Sequence, residues 1–299
     1  MKRKIVRQGK QAFTVTLPVD WIRNNGLKVG DEIDLTTSEK SLILRADSKS
    51  PGGIIDLDLT DITNRMKYVY INAAYAKGVD ELNIKAEPGY YPEVEHNIGF
   101  AVASQKKDVS TVRDFSGNTL GDLDEVFKRV FQMIVNFLNE AQNDIFGQNS
   151  GPYETLSKRD MEINKFCLFL ERSIVKQVYP DPKLGKILFA YAFTLEVLSD
   201  DVFRMWRAAQ GLKMPKELKK MSDIALKAFE NGFNMYYHAE KSLIKQSVKL
   251  KFNARKEFPS LIKKYPKHFM FLLYCLKLIE GTSDIIHLAL MKQMKPKYI

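Results

Sequence analysis

A repeated helix motif constrains the fold of the C-terminal part of this chain. When Glu196 is aligned with Glu280, Asp200 falls opposite Asp284, and a Pro-Lys pair precedes each copy at the same distance. The residues between the Pro-Lys pair and the first carboxylate are mostly apolar in both copies. Two three-helix units that end in the same helix are the simplest explanation of this duplication.

Six long amphipathic helices are predicted for the region that contains the repeat. Short segments rich in Gly and Pro separate them, which favours antiparallel bundles. We therefore predict an all-α domain over residues 117–293, with helices at 119–147, 157–178, 183–210, 215–239, 241–264 and 267–293.

The first 47 residues have a different pattern, in which short strands alternate with turns. One strand ends at Pro18, a short helix ends at Gly26, and two further strands follow. Strands this short cannot enclose a core within ~45 residues, so the segment is predicted to dimerise. A polar linker leads to residues 51–116, where a strand-helix-strand-helix-strand pattern predicts a small α/β connecting domain without evident chemistry.

The net charge of +10 is concentrated at the two ends of the chain. The first ten residues contain five basic residues and no acid, and residues 241–299 hold thirteen Lys or Arg against three acids. This placement suggests two surfaces that face polyanions. For the C-terminal zone, a solvated surface that keeps the helices soluble is an equally good interpretation.

Several classes of protein are disfavoured by the sequence. No twenty-residue apolar run is present, so no membrane insertion is expected. Cys167 and Cys275 lie in apolar helical runs and are predicted to be core residues, and a cytoplasmic location is expected. The histidines form no triad, and no phosphate-binding glycine loop is present, so we expect no enzymatic activity.

The repeated carboxylates are the candidate chemical site. Glu196 and Asp200 lie one turn apart on one helix face, as do Glu280 and Asp284, and both helices are too apolar to be solvated all round. Carboxylates in such a setting need a cation. That cation is either a hard metal ion or Lys and Arg side chains, and chance exposure of the pairs is the third alternative.

Other acidic residues near these pairs are weaker candidates. Glu140 and Asp144 have the same spacing in a more polar helix, and His287 could add an imidazole beside Asp284. Asp201, next to Asp200, is predicted to be a solvated neighbour.

The N-terminal segment resembles the AbrB/MazE/SpoVT swapped-hairpin family. The resemblance rests on the basic strand 3–7, the strand that ends in Leu17-Pro18, the short helix at 21–23 and the Gly-Leu-Lys-Val-Gly-Asp run at 26–31. It implies a barrel of two interleaved chains that binds double-stranded DNA. Family members often have Gly-Arg where this chain has Phe13-Thr14, which removes one basic contact. The resemblance and the local charge indicate the following DNA contacts: Arg7 and Arg23 by matching position, Lys4 and Lys10 by charge alone.

The helical region resembles PhoU, whose helices carry metal-binding carboxylate motifs. The resemblance rests on residues 195–200 and 279–284. It implies that Asp160, four residues before Asn164, joins the first metal site, and that Asn253 and Glu257 take the matching positions of the second repeat. The cofactor expected from it is a divalent or trivalent ion such as Mg, Mn, Fe or Zn.

Together these features predict a multidomain α+β protein with an AbrB barrel, an α/β connector and a PhoU-like pair of three-helix bundles. This combination resembles the archaeal phosphate-uptake regulators. It implies a homodimeric transcriptional regulator whose body senses phosphate status. The alternative is an adaptor that binds a phosphate transporter or a regulatory kinase and uses the N-terminal domain only to dimerise. Metal-assisted hydrolysis is a distant third interpretation, because no nucleophile or base is visible.

Overall fold

The computed structural model describes residues 1–38, 41–46, 53–86, 92–116, 122–147, 153–177, 179 and 181–294. The chain divides into two compact units, Met1–Pro51 and Gly52–Ile299. The boundary between them lies in the polar linker.

The first unit consists of two separate hairpins and a short helix. Strands β1 (Val6–Gln8) and β2 (Ala12–Thr14) pair antiparallel, helix α1 covers Val19–Asn24, and β3 (Asp34–Ser38) pairs antiparallel with β4 (Ser41–Arg45). Gly26 follows α1 with a φ of 64°, a left-handed conformation that suits glycine.

Among the residues of this first unit whose side chains the structure describes, none is buried. Phe13 and Leu35 are 69% and 60% exposed, although their strands are apolar enough to need a core. The sequence predicts that this segment cannot enclose a core of its own, and the structure of the single chain agrees with that prediction. A closed barrel would require strands from elsewhere, and it stays a prediction.

The second unit begins with a four-stranded sheet in the order β5-β6-β8-β7. Helix α2 (Asn64–Ala76) joins the parallel strands β5 and β6, and the one-turn helix α3 (Pro92–Glu95) precedes β7. The strands are β5 Ile54–Asp58, β6 Glu81–Lys85, β7 Phe100–Lys106 and β8 Val109–Asp114.

Strand β7 differs from the prediction of three strands for this region. All of its side chains after Phe100 are exposed, so it shows no apolar alternation. It pairs with β8 through a tight turn in which Lys107 has a φ of 49°. Backbone pairing rather than burial defines this strand, and hydrophobic periodicity does not detect it.

In the described part of the chain after the sheet there are six long helices, and their bounds lie within a few residues of the predicted ones. Asp122 and Asp181 cap the helices α4 and α6 by accepting hydrogen bonds from backbone N–H groups of the first turn. The helices are α4 Leu123–Phe146, α5 Tyr153–Lys176, α6 Pro182–Ala209, α7 Lys219–Tyr237, α8 Lys241–Lys264 and α9 Phe269–Gln293.

The two copies of the repeated helix, α6 and α9, pack against each other. A Cβ at Gly281 would lie 2.7 Å from the Cδ2 atom of Leu198, so glycine permits this close crossing. The Tyr191 hydroxyl donates a hydrogen bond of 2.8 Å to the backbone carbonyl of Ile285. The repeat therefore forms the centre of the helical body.

The α/β sheet and the helices belong to one compact unit. Arg172 of α5 is buried and donates to the backbone carbonyls of Tyr75 and Val79 at 3.0 and 2.7 Å. It also pairs with Asp80 and Asp114, at 3.2 and 2.7 Å. The expected boundary at 116/117 separates sheet from helices, but a buried charge network joins the two sides.

Candidate functional site

The proposed DNA-contacting residues are all exposed, and the first hairpin brings two of them together. Arg7 on β1 donates a hydrogen bond from Nη2 to the backbone carbonyl of Lys10, at 3.3 Å. Lys4 precedes β1, and Arg23 lies in the last turn of α1. The absence of acids from the first ten residues makes this hairpin a positively charged surface that suits phosphate groups.

A cluster of carboxylates lies between α5 and α6. It contains Glu196 and Asp200, as the repeat indicates, together with Asp160 of α5. Burial raises the pKa of Glu196 to about 7, and the charges of Asp200, Glu171 and Asp160 add to this shift. Burial also raises the pKa of Asp160 to about 6, with Asp200 contributing.

Glu171 belongs to the same cluster, and it was missed by sequence reasoning. It is 7% exposed, and burial raises its pKa to about 7. It has no carboxylate partner one turn away, which is the spacing that identified the other residues. Its spacing from Asp160, Asn164 and Cys167 nevertheless places all four on one face of α5, and this periodicity could have revealed it.

Cations and hydrogen-bond donors satisfy this cluster only in part. Asp200 forms an ion pair with Arg204, and Ser199 donates from Oγ to Asp160 at 3.3 Å. The Oδ1 atom of Asn164 is buried and has no hydrogen-bond partner within the described part of the chain. The site therefore combines one buried carboxylate, Glu171, and three half-buried ones with an unsatisfied amide oxygen.

Helix α2 of the α/β sheet also approaches this cluster. Burial is the main cause that raises the pKa of Tyr68 on α2, and the charges of Glu196, Asp160 and Asp200 raise it further. Burial likewise keeps the Cys167 thiol protonated by raising its pKa, as expected of a core cysteine. The cluster is thus shared by α2, α5 and α6, and is not confined to the helical repeat.

The second carboxylate pair has a different environment. Glu280 accepts a hydrogen bond of 2.6 Å from Nε of Arg255, and Asp284 is exposed. Both line a groove of about 370 Å³ between α6 and α9. The two repeated pairs therefore have different surroundings, because α5 packs beside the first pair and the second faces an open groove.

The prediction for Asp201 is also wrong. Asp201 is 2% exposed and pairs with Arg204 and Lys277, at 3.1 and 2.8 Å. The aspartate predicted to be solvated is therefore more buried than Asp200. Contacts from α9, which local spacing does not encode, determine this arrangement.

Glu140 and Asp144 have separate partners. Glu140 pairs with Arg159 at 3.3 Å on the surface, whereas Asp144 accepts a hydrogen bond of 2.7 Å from the Trp206 indole. They link α4 to different helices and do not converge on one point.

Metal-binding clusters and membrane-spanning helices are both absent from the part of the chain that the structure describes. No group of three or more His, Cys, Asp or Glu side chains is arranged there to hold a metal ion. None of the helices that the structure describes is both long and apolar enough to cross a bilayer.

The first unit of the chain matches a known protein family. Residues 6–52 match the family described as antidote-toxin recognition MazE, bacterial antitoxin. This match supports a swapped-hairpin domain at the N-terminus and associates it with DNA binding or an antitoxin-like role. The chain has no significant match among curated proteins or solved structures.

Proposed function

We propose that this chain is a DNA-binding transcriptional regulator of phosphate uptake whose helical body senses phosphate status through a metal, a ligand or a partner. One observation carries the DNA-binding part of this proposal. Arg7 and Lys10 lie together on an exposed hairpin within the segment that matches the MazE family. The first ten residues of the chain contain no acid that would offset their charge.

Homodimerisation through the first unit is part of the same proposal. Exposed apolar residues such as Phe13, Leu35 and Leu42 lie on strands that lack a covering layer among the described residues. A second copy of the chain would cover them and double the basic surface offered to DNA.

The sensing role of the body is supported by the cluster of Asp160, Glu171, Glu196 and Asp200. Carboxylate oxygens and the unpartnered Oδ1 atom of Asn164 are donor types that suit a cation such as Mg, Mn or Fe, and Zn less well. The described side chains do not converge on one point as they stand, so binding requires them to move together around the ion. The link to phosphate rests on the resemblance of residues 195–200 and 279–284 to PhoU.

A gel shift with the DNA upstream of the chain's own gene tests the regulator, with and without competitor DNA. Arg7→Ala with Arg23→Ala should weaken binding and lower the log–log salt slope by about 1.8, since each lost phosphate contact accounts for about 0.9. Lys28→Ala with Lys77→Ala removes the same charge from other exposed positions and should leave binding nearly unchanged.

The adaptor interpretation predicts a different result. In that case the full chain is dimeric yet shows no preference for its upstream DNA over competitor, and the arginine variant behaves as the wild type. A phosphate transporter or a regulatory kinase would then be the partner of the body. The exposed apolar strands of the first unit support the dimer that this second candidate requires. They do not identify the partner of the body.

A further inference from the structure

Helix α8 has an outer face that neither the DNA-binding proposal nor the packing of the body explains. Its inner face packs on the core through Leu243, Phe258 and Leu261, with Ser247 and Ala254 buried. Val248 and Phe252, one turn apart on the outer face, are 63% and 67% exposed. These two large apolar side chains form a small exposed apolar patch on a helix whose other side packs on the core.

Basic side chains surround this apolar pair. At 100° per residue, five lysines fall on the same half of the helix as Val248 and Phe252, and they extend over about 33 Å of helix axis. They form no ion pair within the part of the chain that the structure describes. These lysines are Lys241, Lys245, Lys249, Lys256 and Lys263.

The acidic residues near α8 do not neutralise this face. Glu257 is the one acid within the helix; it lies on the opposite side and pairs with Lys220 of α7 at 2.7 Å. Glu280 of α9 is already paired with Arg255. The outer face therefore keeps its full positive charge.

We propose that α8 is a peripheral docking helix for anionic membrane surfaces, on which the body lies without spanning the bilayer. Lysines attract acidic lipid headgroups, and the apolar pair enters the boundary between headgroups and acyl chains. Duplex DNA fits this face less well, because phosphate contacts use charged and polar donors and offer nothing to Val248 and Phe252. A bilayer uses both features of the face at once.

Flotation of the full chain with vesicles tests this assignment. Vesicles of phosphatidylcholine with phosphatidylglycerol should bind the chain, those of phosphatidylcholine alone should not, and added salt should weaken binding. Lys245→Ser, Lys249→Ser and Lys256→Ser together should weaken binding on the order of a hundredfold, at about fivefold for each lysine. Val248→Ser with Phe252→Ser retains the charge and should weaken binding about tenfold or more.

A matched control removes the same charge from α4, α5 and α6 through Lys128→Ser, Lys158→Ser and Lys186→Ser. It should retain binding within about twofold. Equal loss in this control would overturn the proposal, since net charge alone would then explain binding. Unchanged binding of either α8 variant would also overturn it.

Binding of a duplex DNA of unrelated sequence tests whether the outer face of α8 binds nucleic acid instead of a membrane. In the Arg7→Ala, Arg23→Ala background, the lysine substitutions on α8 should have little effect on DNA binding. If they abolish it while the wild type ignores anionic vesicles, the face is a nucleic-acid surface and the membrane assignment is wrong. Phe252→Trp gives an independent reading when its emission is compared with that of the unsubstituted chain, which contains Trp21 and Trp206. The difference between the two spectra should shift to the blue with anionic vesicles and stay unshifted with DNA.

Discussion

The two units of this chain bury their apolar residues to very different extents. In Gly52–Ile299, large side chains such as Trp206, Tyr191 and Phe131 are almost fully buried, and the charge network of Arg172 joins sheet to helices. In Met1–Pro51, none of the side chains that the structure describes is buried, and the strands expose Phe13 and Leu35. The second unit has a core within one chain, whereas the described residues of the first have none, which is the basis of our proposal that a second copy completes it.

The largest expected effect concerns the first unit. Phe13→Asp with Leu35→Asp should raise the dimer dissociation constant by on the order of ten-thousandfold or more, because two apolar side chains in each of the two copies lose their burial, at about 1.5 kcal/mol each. Light scattering of the full chain should then report the monomer mass. Val69→Asp, at an exposed position of α2, is the control and should leave the dimer intact. If a fragment of residues 1–50 is folded and monomeric, the first unit is stable without a partner and the proposed difference between the two units is wrong.

The next effect concerns the second unit. Arg172→Met should lower its free energy of unfolding by about 3 kcal/mol, at the low end for a broken buried pair, because Asp114 loses its closest cation while Lys176 still pairs with Asp80. Arg113→Met breaks an exposed pair with Glu81 and should cost less than about 1 kcal/mol. Denaturant melts followed by fluorescence and circular dichroism measure both changes. If sheet and helices unfold in separate transitions in the wild type, the second unit is less cooperative than we infer.

A smaller effect should appear in the pH dependence of the second unit. The pKa of Glu171 and of Glu196 is about 7 in the folded chain, against an ordinary value of 4.5. The folded state retains protons that the unfolded state has released, so this contribution to stability is complete below pH 4.5 and is lost as the pH rises through about 7. In the presence of a chelator, stability should fall on the order of 1–3 kcal/mol across this window.

Glu171→Gln with Glu196→Gln should flatten that dependence, and Glu280→Gln, at a partly exposed pair, should not. Mn²⁺ added above pH 7 should stabilise the wild type and leave the double variant unchanged if the cluster holds a cation. A wild type that ignores both chelator and Mn²⁺ would contradict the metal proposal. The carboxylates would then belong to a metal-free body.

Local features of the sequence account for what was predicted well. The helices α4 to α9 follow from apolar periodicity and from separators such as Pro182 and Gly211, both of which act within a few residues. The hairpin order of the first unit follows from turn residues in the same way. Strand β7 was not predicted because its side chains after Phe100 are exposed. Its sequence pattern therefore carries no information about the pairing with β8.

The sequence by itself determined the helices, the hairpins, the repeat and the faces on which Glu196, Asp200, Glu280 and Asp284 lie, since these depend on spacing along one element. Only the tertiary structure decided what those faces meet. Packing of α5 and α2 against α6 half-buries Glu196 and brings in Glu171, while the matching surface of α9 faces a groove and leaves Asp284 exposed. The physical reason is that burial and pKa depend on neighbours far away in the chain, and a repeat of sequence does not ensure a repeat of neighbours.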